Sequence, residues 1–247
     1  MTIEAGMRAP LSLLPLRLDG VVFEAGGHRI IDGISMTIAR GPRTVVLGPN
    51  GAGKSVLLRL CHGLLAPTAG TVRWFTPEVP GGPRRQAMVF QRPMMLRRTA
   101  LGNVTYALRL AGVDRRTREA RAMEALAKVG LDKQANRAAR VMSGGEQQRL
   151  ALARVWALSP EILFLDEPTA SLDPGATHEI ESIILALHQA GTKIVMVTHN
   201  LGQAHRVADE ILFLHQGRLV ERAPAGQFLK RPASPEAARF LEGELPW

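Results

Sequence analysis

The run Gly48-Pro49-Asn50-Gly51-Ala52-Gly53-Lys54-Ser55 limits what this chain can fold into more than any other stretch. Its glycines let a loop wrap closely enough for successive backbone amides to point at one anion. The lysine adds a mobile positive charge and the serine a hydroxyl, the arrangement that cradles a triphosphate and its Mg²⁺. Such a loop needs a buried strand before it and a helix after it. Thr44-Val45-Val46-Leu47 supplies the first, and the breaker-free run from Lys54 to Leu64 the second, with Pro67 and Gly70 to end it. The spacing predicts a nucleoside triphosphate site.

The remaining pattern extends that unit into an α/β sheet. Val21–Phe23 and Ile34–Ile38 read as short strands around a Gly26-Gly27 turn, and Thr71–Phe75 and Ala87–Phe90 as two more. A proline-rich loop over Thr76–Arg85 separates the latter pair. From Leu101 to Val141 the signal turns helical, with Ala122, Met123, Leu126 and Val129 at helical spacing. Strands at Ile162–Leu165, Ile194–Val197 and Ile211–Leu214 then alternate with helices reaching Ala190 and Val207. That alternation argues a parallel sheet covered by helices.

Three further clusters carry chemistry. Asp166 and Glu167 follow the apolar strand Ile162–Leu165, at the carboxyl edge where open α/β sheets bind ligands. Asp166 suits a metal held through water, and Glu167 a general base for an attacking water. His199 and Gln91 end strands by the same logic; the histidine could sense a γ-phosphate, and the glutamine amide could reach Mg²⁺ or the water. Finally, Ser143 with Glu146 three residues later has the spacing of a capping box at the start of a helix reaching Leu158. Gly144 and Gly145 leave its first-turn amides uncovered, a second anion site.

Composition excludes several alternatives. No stretch approaches the roughly 20 apolar residues of a membrane span, and no signal peptide is expected. The single Cys61 rules out a disulfide framework and suits a reducing cytoplasm. The net charge of +9 invites a nucleic-acid reading, but the arginines read as dispersed and aromatics are only 4%, which leaves little to stack bases on. A surface for anionic lipid or an acidic partner fits at least as well, and no nucleic-acid partner is expected.

Together these residues resemble one family, the ATP-binding cassette (ABC) ATPases, over about Leu16 to Arg231. Gly48–Ser55 looks like the family's Walker A, Ile162–Glu167 its Walker B, Ser143–Gln147 its signature, Ser171-Leu172-Asp173 its D-loop, Gln91 its Q-loop and His199 its switch histidine. The resemblance implies one α/β P-loop NTPase domain over 1–247, with a mainly parallel central sheet, an N-terminal antiparallel β subdomain and an inserted helical subdomain. Its core would span about 16–94 and 159–230, its helical block about 95–158, and its C-terminal helical tail 231–247.

The resemblance also assigns roles. ATP would be held by Gly48, Pro49, Asn50, Gly51, Ala52, Gly53, Lys54, Ser55 and Val56, with Ser143, Gly144, Gly145 and Gln147 contributed across a head-to-tail homodimer. Mg²⁺ would sit at Ser55, Gln91 and Asp166, and Glu167, His199 and Gln91 would serve hydrolysis. The family usually stacks adenine on an aromatic residue at a place that here falls near Ala25, with Phe23 or His28 as substitutes. A single cassette without a span implies a separate membrane permease, received near Gln91–Thr99, and a periplasmic solute-binding protein. The chain would then lie peripherally on the cytoplasmic face of the inner membrane. Val89–Pro93 and Thr198–Ala204 look most like the cassettes of tungstate importers, with phosphate importers close.

Overall fold

The computed structural model describes residues 12–76 and 85–244. Most of the expected proline-rich loop, the first eleven residues and the last three lie outside them. Two sheets organise the rest. Strands β1 (Leu16–Ala25), β2 (His28–Ile38) and β4 (Ala69–Trp74) form an antiparallel sheet in the order β2-β1-β4. Strands β3 (Thr44–Leu47), β5 (Gln86–Val89), β6 (Ile162–Asp166), β7 (Lys193–Val197), β8 (Glu210–His215) and β9 (Arg218–Pro224) form the second, ordered β5-β6-β7-β3-β8-β9. It is parallel except for the β8–β9 hairpin at one edge.

The central strands are buried on both faces, so they read as unbroken apolar runs. Their period of two sorts them between two cores. Val45, Leu163, Leu165, Ile194, Met196, Ile211 and Phe213 join a cluster with the helices of one face. Val46, Ile162, Phe164, Val195, Val197, Leu212 and Leu214 join a second with the antiparallel sheet and helix α1 (Lys54–His62).

The helical block comprises α2 (Ala100–Leu110), α3 (Arg115–Lys128) and α4 (Gly144–Leu158), with short 3₁₀ turns at Asp132–Gln134 and Ala139–Val141. It shares one continuous apolar cluster with the sheet face. Helices α5 (Pro174–Gln189) and α6 (Leu201–Val207) alternate with the later strands, and the short α7 (Ala225–Phe228) and α8 (Pro235–Leu241) close the chain. Among the described residues no helix is long and apolar enough to cross a membrane.

Some boundaries differ from the sequence expectation. Helix α1 stops at His62, because Gly63 adopts φ 83 and its N–H bonds the Leu60 carbonyl, a glycine stop that acts before Pro67 or Gly70 can. The N-terminal hairpin is far longer than the two expected pieces. Its exposed face alternates Arg17, Glu24, Arg29 and Ser35 with buried Leu16, Leu18, Val21, Ile31 and Ile34, and polar residues hid its length.

Candidate functional site

The loop after β3 owes its path to close packing. Gly48 approaches β8 so tightly that a Cβ there would collide with the Leu214 carbonyl oxygen. Pro49 then turns the chain, its carbonyl accepting the Ala52 N–H at 3.2 Å. Asn50 and Gly51 lie exposed, Ala52 and Gly53 are buried, and Val56 packs partly into the core beneath. Gly53 caps α1 without a side chain, and no acidic residue occupies the helix's first turn. Among the described residues the amides of Gly51, Gly53, Lys54 and Ser55 carry no hydrogen bond. They form a cluster of donors at a positive helix end. The Lys54 ammonium donates to the Gly48 and Pro49 carbonyls at 2.7 and 2.8 Å. Burial lowers its pKa, against the opposing pull of Glu167 and Asp166.

Two adjacent carboxylates have been separated by the backbone. Strand β6 is buried throughout and delivers Asp166 to the loop, where Oδ1 accepts the Ser55 hydroxyl at 2.7 Å. Arg59 stands 3.9 Å from the other oxygen. Glu167 turns away at φ 47, its N–H bonding the Val197 carbonyl at 3.0 Å. Its side chain meets His199 Nδ1 at 3.1 Å. His199 is half exposed and precedes α6, which Asn200 caps by accepting the Gln203 N–H at 2.9 Å. The Ser55 and Asp166 oxygens are hard donors suited to Mg²⁺. Among the described residues no cluster of three His, Cys, Asp or Glu could hold a metal alone.

The capping box is present as the spacing predicts. Ser143 N–H donates to Glu146 Oε2 at 2.7 Å, and the Glu146 N–H returns to Ser143 Oγ at 3.3 Å. That backbone donor, together with nearby Arg137, holds the Glu146 carboxyl below its usual range. Gly144 faces Leu172, and a Cβ on Gly145 would stand 3.1 Å from the Ala176 methyl. Ser143, Gly144 and Gly145 border a hollow of about 230 Å³ with Ser171 and Asp173. Gln147 donates to the Met142 carbonyl at 2.9 Å. Exposed Gln91 joins Gln147 and Gly144 around a neighbouring cavity of about 340 Å³. Among the described residues no hydrogen bond links Ser143–Gln147 to Gly48–Val56.

The structure adds residues that sequence reasoning missed. Arg59 lies one helical turn beyond Ser55, and i,i+4 spacing on α1 could have placed it beside Asp166. Gln203, only 1% exposed, donates to Thr169 Oγ1 at 2.9 Å and to Glu181 Oε1 at 3.2 Å, while Glu181 also binds Arg206 through both oxygens. This buried hub joins the histidine's helix to the segment after Glu167, and no local pattern announces it. Of the three positions considered for base stacking, Phe23 packs partly into the core, whereas Ala25 and His28 lie exposed at the hairpin end.

Comparison with known proteins follows the same lines. The family model described as "ABC transporter" matches residues 31–170. The methionine import ATP-binding protein MetN of Nocardia farcinica is 37% identical over 91% of this chain and 71% of its own length. The tungstate uptake system ATP-binding protein TupC of Peptoclostridium acidaminophilum is 37% identical over 79% of this chain and 92% of its own. A solved nucleotide-free ATP-binding cassette of an ABC transporter superposes with a TM-score of 0.79 at 22% identity, over 92% of this chain and 98% of that one. By that family match and by relatives at this identity and coverage, the chain belongs to the ABC transporter family and is an ATP-binding, ATP-hydrolysing cassette.

Proposed function

We propose that this cassette powers an importer, two copies pairing head to tail so that Ser143–Gly145 of one close over ATP held by Gly48–Ser55 of the other. The observation that carries this reading is the division of the chemistry. Gly51–Ser55, Asp166, Glu167 and His199 gather at one place, while among the described residues no hydrogen bond joins them to the helix start at Ser143, where the Gly144 and Gly145 amides are left without a partner. A partner copy supplies the missing half to each.

In this reading the loop amides and Lys54 grip the β- and γ-phosphates. The oxygens of Ser55 and Asp166, with the Gln91 amide, would hold Mg²⁺, which neutralises charge on the phosphate oxygens when bound. Glu167 takes the proton of the attacking water, and His199, 3.1 Å away, fixes that carboxylate and reaches toward the γ-phosphate. Residues 16–94 and 159–230 form the nucleotide-holding core, 95–158 the helical block and 231–247 the tail.

A separate permease docks on the groove of about 360 Å³ lined by Leu64, Met88, Phe90, Met94 and Leu158. Leu64 and Met94 are 51% and 79% exposed there, and unbranched methionine adapts to an inserted helix. A periplasmic solute-binding protein completes the system, and the cassette sits peripherally on the cytoplasmic face of the inner membrane. The solute we favour is tungstate or a similar oxyanion, supported by the likeness of Val89–Pro93 and Thr198–Ala204 to tungstate cassettes and by the tungstate relative. The test is reconstitution with the permease and binding protein encoded beside it. ATPase activity should rise with tungstate, molybdate or phosphate, and a response only to methionine or another amino acid would end the oxyanion choice.

A further inference from the structure

The arginines that read as dispersed along the chain are not dispersed in charge balance. Between Arg92 and Arg140 there are twelve Lys and Arg against four Asp and Glu, a net +8 of the whole chain's +9. Elsewhere the arginines are largely matched by carboxylates: Arg17 to Asp19, Arg43 to Asp209, Arg206 to Glu181 and Arg222 to Glu210 are examples. In the hairpin of α2 and α3 this stops. Among the described residues Arg98, Arg109, Arg115 and Arg116 have no ion pair, although all are exposed. Arg98 and Arg109 even share one ring, their guanidinium carbons 5.1 and 4.8 Å from the centre of Tyr106. Arg115 and Arg116 open α3, whose first turn has no acidic residue, although the helix macrodipole disfavours positive charge there. Neither ion pairing nor the helix dipole explains these placements.

We propose that the α2–α3 hairpin binds anionic phospholipid at the membrane surface. Leu110, at the hairpin tip, is 70% exposed between Arg109 and Arg115, an apolar anchor with a basic collar, which is the chemistry of an interfacial segment. The inference rests on the groove's being the permease face. Ala107 lines that groove, and Leu110 stands one turn further along the same helix, so a docked permease brings the tip toward the bilayer. Lipid fits better than permease loops, because cytoplasmic loops of membrane proteins are themselves enriched in Lys and Arg. Nucleic acid fits poorly, since Tyr106 is the chain's one tyrosine and already carries two guanidinium groups.

Cosedimentation of the full chain with vesicles of phosphatidylcholine, with or without phosphatidylglycerol, tests this. The wild type should bind only the anionic vesicles and be released near ~1 M salt, where the screening length is about 3 Å. Each neutralised arginine should weaken binding about fivefold, so R109Q/R115Q/R116Q should lose on the order of 100-fold while its ATPase in solution is unchanged. The same variant should still assemble with the neighbouring permease in detergent. Equal binding of variant and wild type to anionic vesicles, or equal binding to both lipids, overturns the proposal. So does loss of permease assembly in detergent, which would give the arginines to the permease, or tighter retention on an oligonucleotide than on vesicles. If the triple variant does not fold, Arg115→Gln alone should show the fivefold loss. Anionic-vesicle binding without permease assembly would leave the lipid site standing and remove the importer reading instead.

Discussion

Glu167 and His199 emerge from neighbouring strands, and their side chains meet at 3.1 Å just past the last ladder pair, Asp166 against Val197. The carboxylate is thus set by the sheet and not by a flexible loop. Glu167→Gln keeps the shape and removes the base. ATP binding should persist while hydrolysis falls roughly 10²- to 10⁴-fold, with a dimer accumulating in ATP. Single-turnover hydrolysis and sizing chromatography measure both, and unchanged turnover would refute the role.

Lys54 is held by two loop carbonyls and carries the only side-chain cation on that loop. Lys54→Ala should weaken nucleotide binding at least tenfold, consistent with the roughly 1.5–3 kcal/mol of hydrogen bonds to charged groups. Fluorescent-nucleotide titration reads this, with circular dichroism confirming the fold. Wild-type affinity would count against phosphate contact.

Ser143→Ala breaks the capping box and should cost about 1 kcal/mol of stability. If its hydroxyl and helix end act across a dimer, monomer affinity for ATP stays normal while ATPase and ATP-driven dimerisation both drop. A variant that loses monomer binding instead would place Ser143 beside its own chain's phosphate loop.

Lys193, with its side chain 1% exposed, donates to the Pro42 carbonyl and to Thr44 Oγ1 at 2.7 Å, with Glu210 at 3.7 Å. Burial pushes its pKa down to about 8. Between about pH 8 and the ordinary lysine value of 10.5 the unfolded chain binds the extra proton, so this group makes stability rise with pH there. The slope is at most about 1.4 kcal/mol per unit. Lys193→Met should be less stable overall and should lack that rise. Urea midpoints from pH 7.5 to 10 decide it, and parallel curves for the two proteins would show that Lys193 does not titrate in this window.

The sequence made the local parts of this molecule legible. A strand running into Gly48, an N-cap at Ser143 and carboxylates after an apolar run are all written within a few neighbouring residues. What escaped depends on distant partners. Strand β9 reads Arg-Leu-Val-Glu-Arg-Ala-Pro, charged because it is an edge, and its buried Glu221 is satisfied by the Ala233 and Ser234 amides and the Ser234 hydroxyl. The packing of Gly145 on Ala176 was equally silent, since it joins helices whose contact no periodicity encodes. The charge asymmetry was in the sequence all along; only the ion pairs showed which arginines are left over.

The alternation of side chains along the central strands has one more outcome. Helix α1, which carries Lys54 and Ser55, roots entirely in the core on one face, whereas α4, which carries Ser143 to Gln147, roots entirely in the other. A tilt of α4 and its companions would therefore repack the cluster on its own side of the sheet before it reached the contacts that hold α1. The sheet acts as a bulkhead, with a separately packed compartment on each side.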